Sequence, residues 1–91
     1  MNNFFIVSYD LFNEKDYDKI EKSIEATSNG FTKLLFTVFI IRSSKSFIEL
    51  RDTLEKALDK DDKMLVSEVD VCRIASYNLE DEAIQWIERN C

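Results

Sequence analysis

Asp10 is the acidic residue best placed to do chemistry, because it follows Tyr9 at the end of the apolar stretch FFIVSY. A carboxylate at a strand end can hold Mg²⁺ and orient a water molecule for phosphodiester hydrolysis. The Tyr9 hydroxyl could position a phosphate or that water, and Glu68 and Asp70 could add carboxylates if their strand ends nearby. A single Asp10 supplies too few metal ligands unless a second copy of the chain contributes its own. The structural alternative is that Asp10 is a turn residue that bonds its own backbone and Tyr9 is a packed ring.

The composition excludes several other kinds of site. The chain has no histidine, and its two cysteines, Cys72 and Cys91, do not form a C-x-x-C pair. Cys/His zinc sites, Ser-His-Asp triads and Cys-His dyads are therefore excluded. We expect Cys72 to be a small buried or edge residue and Cys91 to be an exposed thiol without a role. Two such cysteines fit a reducing cytoplasm, and the first residues lack the features of a signal peptide.

The charge balance disfavours anionic partners. With 12 Lys+Arg against 18 Asp+Glu, the net charge is −6, and such a surface repels phosphate backbones unless its cations are clustered. Arg42, Lys45 and Arg51 come closest to a cluster, but we interpret them as surface pairing. The longest apolar stretch is too short to cross a bilayer, so no membrane association is expected.

Hydrophobic periodicity predicts the elements that must position these residues within a single domain, residues 1–91. Residues 4–9 are apolar on both faces, typical of a central strand, and residues 10–15 are a loop. A helix with Ile20 and Ile24 on its apolar face ends at Ser28-Asn29-Gly30, where the only glycine suits a left-handed terminal residue. Residues 31–42 are predicted to form two strands that turn near residues 35–37.

The second half of the chain repeats this order. Ser46 and Glu49 form a capping-box pattern that predicts a second helix, and a loop at 59–63 precedes a strand at 64–69. Residues 70–77 are ambiguous and could include a short edge strand. Asn78 is the predicted N-cap of a third helix that buries residues 83, 84 and 87, and also Trp86.

The order β-α-β-β-α-β followed by a short C-terminal helix predicts an α+β protein of the ferredoxin-like class: an antiparallel four-stranded sheet with two helices on one face. The other sheet face is expected to be uncovered and rich in apolar side chains from residues 4–9 and 36–41. An uncovered apolar face favours a homodimer, through that face or through strand edges.

The segments VSYDL at the end of the first strand and LFTVF at residues 35–39 resemble the small CRISPR-associated Cas-two family. KDYDKI, ELRDTLEKALDKDDKMLV and DEAIQWIERN are similar to segments of short bacterial and phage proteins labelled "SinR family". The resemblance implies a ferredoxin-like homodimer in which Asp10 of both copies shares a divalent ion such as Mg²⁺. It also implies either a nuclease or a non-catalytic DNA-binding scaffold. The sequence departs from this family because NEKDYDKIEK, at the start of the first helix, has no arginine for phosphate binding.

Three functions follow as expectations. The first is a Cas-two-like, homodimeric interaction or scaffold protein without catalytic activity, from a prokaryotic or phage defence-related system. The second is a magnesium-dependent nuclease that uses Asp10, with Tyr9 beside it, at the dimer interface. The third is an acidic phage-type inhibitor or nucleic-acid mimic that binds a basic protein. The residues leave open whether the chain is an enzyme, and no other cofactor is expected.

Overall fold

The computed structural model describes residues 3–12 and 17–91. Within these residues, four strands, three α-helices and two short 3-10 turns follow one another. In order they are β1 (Asn3–Asp10), α1 (Tyr17–Thr27), β2 (Gly30–Leu35), β3 (Val38–Ser43), α2 (Phe47–Leu54), a 3-10 turn (Glu55–Ala57), β4 (Lys63–Glu68), a second 3-10 turn (Val71–Arg73) and α3 (Asp81–Asn90). The predicted loop at 10–15 lies partly outside the described residues.

The strands form one antiparallel sheet in the order β2-β3-β1-β4. β1 is central, as its two apolar faces predicted, and it pairs with β3 on one side and β4 on the other. The expected α+β architecture, with an antiparallel four-stranded sheet and three helices, is confirmed at this level.

The first face of the sheet carries the main core. Phe5, Val7 and Tyr9 alternate along β1 and pack against the buried apolar stripes of α1 and α2. These stripes are Ile20 with Ile24, and Leu50 with Leu54. The predicted capping box starts α2: the Ser46 hydroxyl accepts from the Glu49 N–H at 3.1 Å, and the Glu49 carboxylate accepts from the Ser46 N–H at 3.1 Å.

The second face is not fully uncovered, and that expectation was wrong for half of it. α3 packs on this face, with Trp86 buried against Phe4 and Ile40. The Phe4 and Trp86 rings meet edge to face, with centroids 5.9 Å apart. At the end of α3, Asn90 accepts a hydrogen bond from Arg42 at 3.1 Å. The amphipathic pattern of α3 was visible in the sequence, but its docking site was not.

A disulfide between Cys72 and Cys91 holds the end of α3 to the turn after β4. The expectation that Cys91 is a thiol without a role was therefore wrong, and Cys72 lies exposed in a 3-10 turn and not in the core or a strand. The two Cα atoms lie 4.9 Å apart although the residues are 19 positions apart in sequence, and only the return of α3 over the sheet brings them together.

Two local predictions, for Gly30 and Asn78, were also wrong, and the structure decides the ambiguous stretch 70–77. Gly30 opens β2 and has no positive φ; a Cβ there would lie 3.3 Å from the Arg42 guanidinium, so close approach explains the glycine better than left-handed backbone. Asn78 has a left-handed φ of 58°, and the N-cap of α3 is Glu80. Residues 70–77 contribute no strand to the sheet, because a 3-10 turn at Val71–Arg73 leads away from it.

Candidate functional site

Tyr9 points into the core of the first sheet face. Its ring is 3% exposed, and its hydroxyl donates to the Glu21 carboxylate at 3.2 Å. The same carboxylate oxygen binds the Lys33 ammonium at 2.9 Å. Burial, reinforced by the negative charge of Glu21, raises the pKa of Tyr9 above its ordinary value. Tyr9 is therefore held as a neutral hydrogen-bond donor that joins β1 to α1.

Asp10 is the last residue of β1, so it belongs to the strand and not to a turn. Its side chain is exposed, and its cross-strand partner in the ladder is Lys63, the first residue of β4. Asp10 and Lys63 therefore place opposite charges at directly paired positions of the ladder. Asp10 and Lys63 also line a shallow cavity of about 200 Å³ with Ser8 and Leu65.

The structure does not bring the two predicted site residues together. Tyr9 and Asp10 are consecutive in a strand, so their side chains project from opposite faces of the sheet. The Tyr9 ring is buried beneath α1, whereas Asp10 is exposed on the second face. Tyr9 therefore cannot orient a phosphate or a water at the Asp10 carboxylate of the same chain.

The further carboxylates proposed for this site also lie elsewhere within the chain. Glu68 is the ladder partner of Phe5, five positions before Asp10, which separates it from Asp10 by about 17 Å along the strand. Asp70 follows at the same end, where its carboxylate accepts from the Cys72 N–H at 3.0 Å. Within residues 3–12 and 17–91, no three acidic or cysteine side chains cluster as metal ligands.

Arg42, Lys45 and Arg51 are the three cations that the sequence suggested as a surface group. The Arg42 guanidinium donates to the Asn29 carbonyl at 2.7 Å and to Asn90 at 3.1 Å, so it ties α3 to β3. Arg51 pairs with Asp52 at 2.8 Å on the exposed side of α2. Arg42 and Arg51 are therefore engaged in separate contacts on different elements.

The feature that the sequence did not isolate is a row of side chains across the second face. The registers place Leu35 opposite Val38, Val38 opposite Ser8, and Ser8 opposite Leu65. These four residues, here called the uncovered row, run across all four strands. Leu35 is 59% exposed and Leu65 58% exposed at its two ends, and Ile6 lies beside it on β1. The alternation of β4 predicted that Leu65 faces away from Met64 and Val66, but the row depends on long-range register.

No family model and no curated protein matches the chain. Among the described residues, no helix is both long and apolar enough to span a membrane.

Proposed function

We propose that the chain is a non-catalytic interaction protein that works as a homodimer, with the uncovered row of one copy packed against the same row of another. The observation that carries this proposal is the exposure of Leu35 and Leu65 at the ends of a continuous row, next to the half of the face that α3 covers. A surface used twice about a two-fold axis must complement itself. The uncovered row meets that requirement because three of its four side chains are apolar and can pack against their own copies.

The energy available from the exposed leucines of this contact is modest. Full burial of a leucine side chain contributes about 1.5–3 kcal/mol, and Leu35 and Leu65 each have more than half of their surface left to bury. The four leucines of two copies therefore supply roughly 4–7 kcal/mol before the cost of association. Half-buried Val38 and Ile6 add to this sum.

The charges beside the row support the same arrangement. Asp10 and Lys63 are ladder partners on the second face, two residues beyond Ser8 and Leu65. The rim of the contact thus carries both an acidic and a basic group. Paired signs at a rim favour one register of association and contribute little to affinity. In this proposal Asp10 orients the dimer and does not hold a metal.

We also infer that the fold is ferredoxin-like and that it is related to the Cas-two family. The inference is supported by the two crossovers, β1-α1-β2 and β3-α2-β4, each of which spans one intervening antiparallel strand. The position of Asp10 at the end of β1 agrees with the VSYDL resemblance. A prokaryotic or phage defence-related role follows from that relation and stays a prediction. The cytoplasmic location predicted from two unpaired cysteines loses that support, because Cys72 and Cys91 are bonded to each other.

One experiment separates this function from the nuclease alternative. The solution mass is measured by light scattering, and the same sample is incubated with single- and double-stranded DNA and RNA in the presence of Mg²⁺ or Mn²⁺. We expect twice the monomer mass of 10.7 kDa and no metal-dependent cleavage. Cleavage that disappears in Asp10→Ala, with the dimer mass unchanged, would establish the nuclease instead.

A further inference from the structure

β2 is an outer strand of the sheet, since its ladder partner is β3 and no strand lies on its other side in the described chain. The Tyr9 N–H donates to the Thr37 carbonyl at 3.1 Å. This bond makes Tyr9 and Thr37 a hydrogen-bonded pair. Such pairs alternate along an antiparallel ladder, so Phe39 and Ile41 also direct their backbone N–H and C=O groups to β1, and Ile40 directs its groups to β2. On β2, Thr32 faces β3. The N–H and C=O groups of Phe31 and Lys33 therefore point outward.

A groove accompanies this open edge. A cavity of about 390 Å³ lies between β2 and the start of α3. Its lining consists of the β2 strand and its turn, Phe31–Phe36, together with Glu80, Glu82 and Ala83. The groove thus combines unpaired backbone groups, apolar side chains and two carboxylates.

The two sides of the open edge differ in chemistry. On the first face, Phe31 and Phe36 are exposed aromatic rings. The charge of Lys33 on that side is already neutralised by Glu21 at 2.9 Å, and its ammonium lies 5.1 Å from the centre of the Phe36 ring.

On the second face, Glu80 and Glu82 stand at the start of α3 and are exposed. Neither pairs with a cation within residues 3–12 and 17–91. The first side of the edge is therefore aromatic and the second side is acidic.

We propose that the open edge of β2 binds an extended segment of a partner protein in which apolar residues alternate with lysine or arginine. Successive side chains of an added strand project to opposite faces. Its apolar residues would cover Phe31 and Phe36, while its basic residues would meet Glu80 and Glu82. A second copy fits this edge poorly, because it has a net charge of −6 and its own β2 carries one lysine. This surface is distinct from Leu65, but it shares Leu35 with the uncovered row.

The test uses two synthetic heptapeptides as probes, one alternating valine with lysine and one alternating valine with glutamate, each fluorescently labelled and titrated with the full chain. We expect the lysine peptide to bind and the glutamate peptide not to bind. Glu80→Gln combined with Glu82→Gln should weaken binding roughly tenfold, and added salt should weaken it further. Equal binding of both peptides, or no loss in the double variant, would contradict the proposal.

Strand addition is tested with a matched pair of variants at Lys33. Lys33→Ala and Lys33→Pro both remove the ion pair with Glu21, but only proline removes the outward N–H. We expect Lys33→Ala to bind the lysine peptide and Lys33→Pro to lose most of the binding. Circular dichroism checks that both variants fold.

A lysine peptide N-methylated at alternate residues gives the same information without changing the protein. We expect methylation at the positions that face β2 to abolish binding. Equal affinity of the methylated and unmethylated peptides would refute strand addition.

Discussion

Reduction of the Cys72–Cys91 disulfide should lower the free energy of unfolding by about 3 kcal/mol. The bond joins residues 19 positions apart, and the chain-entropy relation for a loop of this length gives that value because the reduced unfolded chain regains conformational freedom. For a domain of this size, the same loss lowers the melting temperature by roughly 12–24 °C.

The structure also predicts which part of the fold loses stability first. The disulfide fastens the end of α3, whose buried contacts with the sheet are made mainly by Trp86 and Ala83. Trp86 is the only tryptophan of the chain and packs against Phe4. Its fluorescence therefore reports the docking of α3, while far-ultraviolet circular dichroism reports all helices and strands together.

The assay is a urea titration with and without dithiothreitol, followed by both signals. We expect the midpoint to fall on reduction, and the Trp86 signal to change at lower urea than the circular dichroism. The double variant Cys72→Ser with Cys91→Ser is the matched control, because it should resemble the reduced protein and ignore the reductant. Identical midpoints for the oxidised and reduced protein would refute the claim that this bond secures α3.

Three further predictions concern the first face of the sheet and its helices. Burial and Glu21 raise the pKa of Tyr9 in the folded state. The contribution of Tyr9 to stability is therefore complete below its unfolded pKa and is lost as the pH rises towards the folded pKa. When the free energy of unfolding is measured as a function of pH, Tyr9→Phe should lose less stability at alkaline pH than the wild type. Ser46→Ala should cost about 1 kcal/mol in urea unfolding. The Ser46 backbone N–H, and to a smaller extent its hydroxyl, lower the pKa of Glu49. The variant removes only the hydroxyl, so an NMR titration should show that pKa rising but staying below its ordinary value. Ile24→Ala removes a fully buried side chain and should cost about 2–5 kcal/mol, and a cost below 1 kcal/mol would contradict the packing described for α1.

Features set by neighbouring residues were predictable from the sequence. The alternation in β1, the apolar stripe of α1 and the Ser46–Glu49 capping box are all present in the structure. Each depends on side chains within a few positions of one another, where periodicity and hydrogen-bonding chemistry leave few alternatives.

Features that depend on contacts between distant segments were not predictable in this way. The sequence does not state that α3 returns over Phe4, so it did not reveal the Cys72–Cys91 bond or the covered half of the second face. The uncovered row likewise depends on three strand registers and a bulge between Lys33 and Leu35. By contrast, the opposite directions of Tyr9 and Asp10 follow from strand alternation alone.

The central claim, that the uncovered row forms a homodimer, is tested most directly by sedimentation equilibrium of three proteins. These are the wild type, Leu65→Glu, and Ile48→Glu as the control. Ile48 is 49% exposed, close to the 58% of Leu65, but it lies on α2 and away from the row.

We expect the wild type and Ile48→Glu to dimerise equally. Leu65→Glu should dimerise at least 30-fold more weakly, because two partly exposed leucines are lost per dimer at about 1–1.5 kcal/mol each. A wild type that stays monomeric at every concentration, or a Leu65→Glu variant that dimerises like the wild type, would contradict the account.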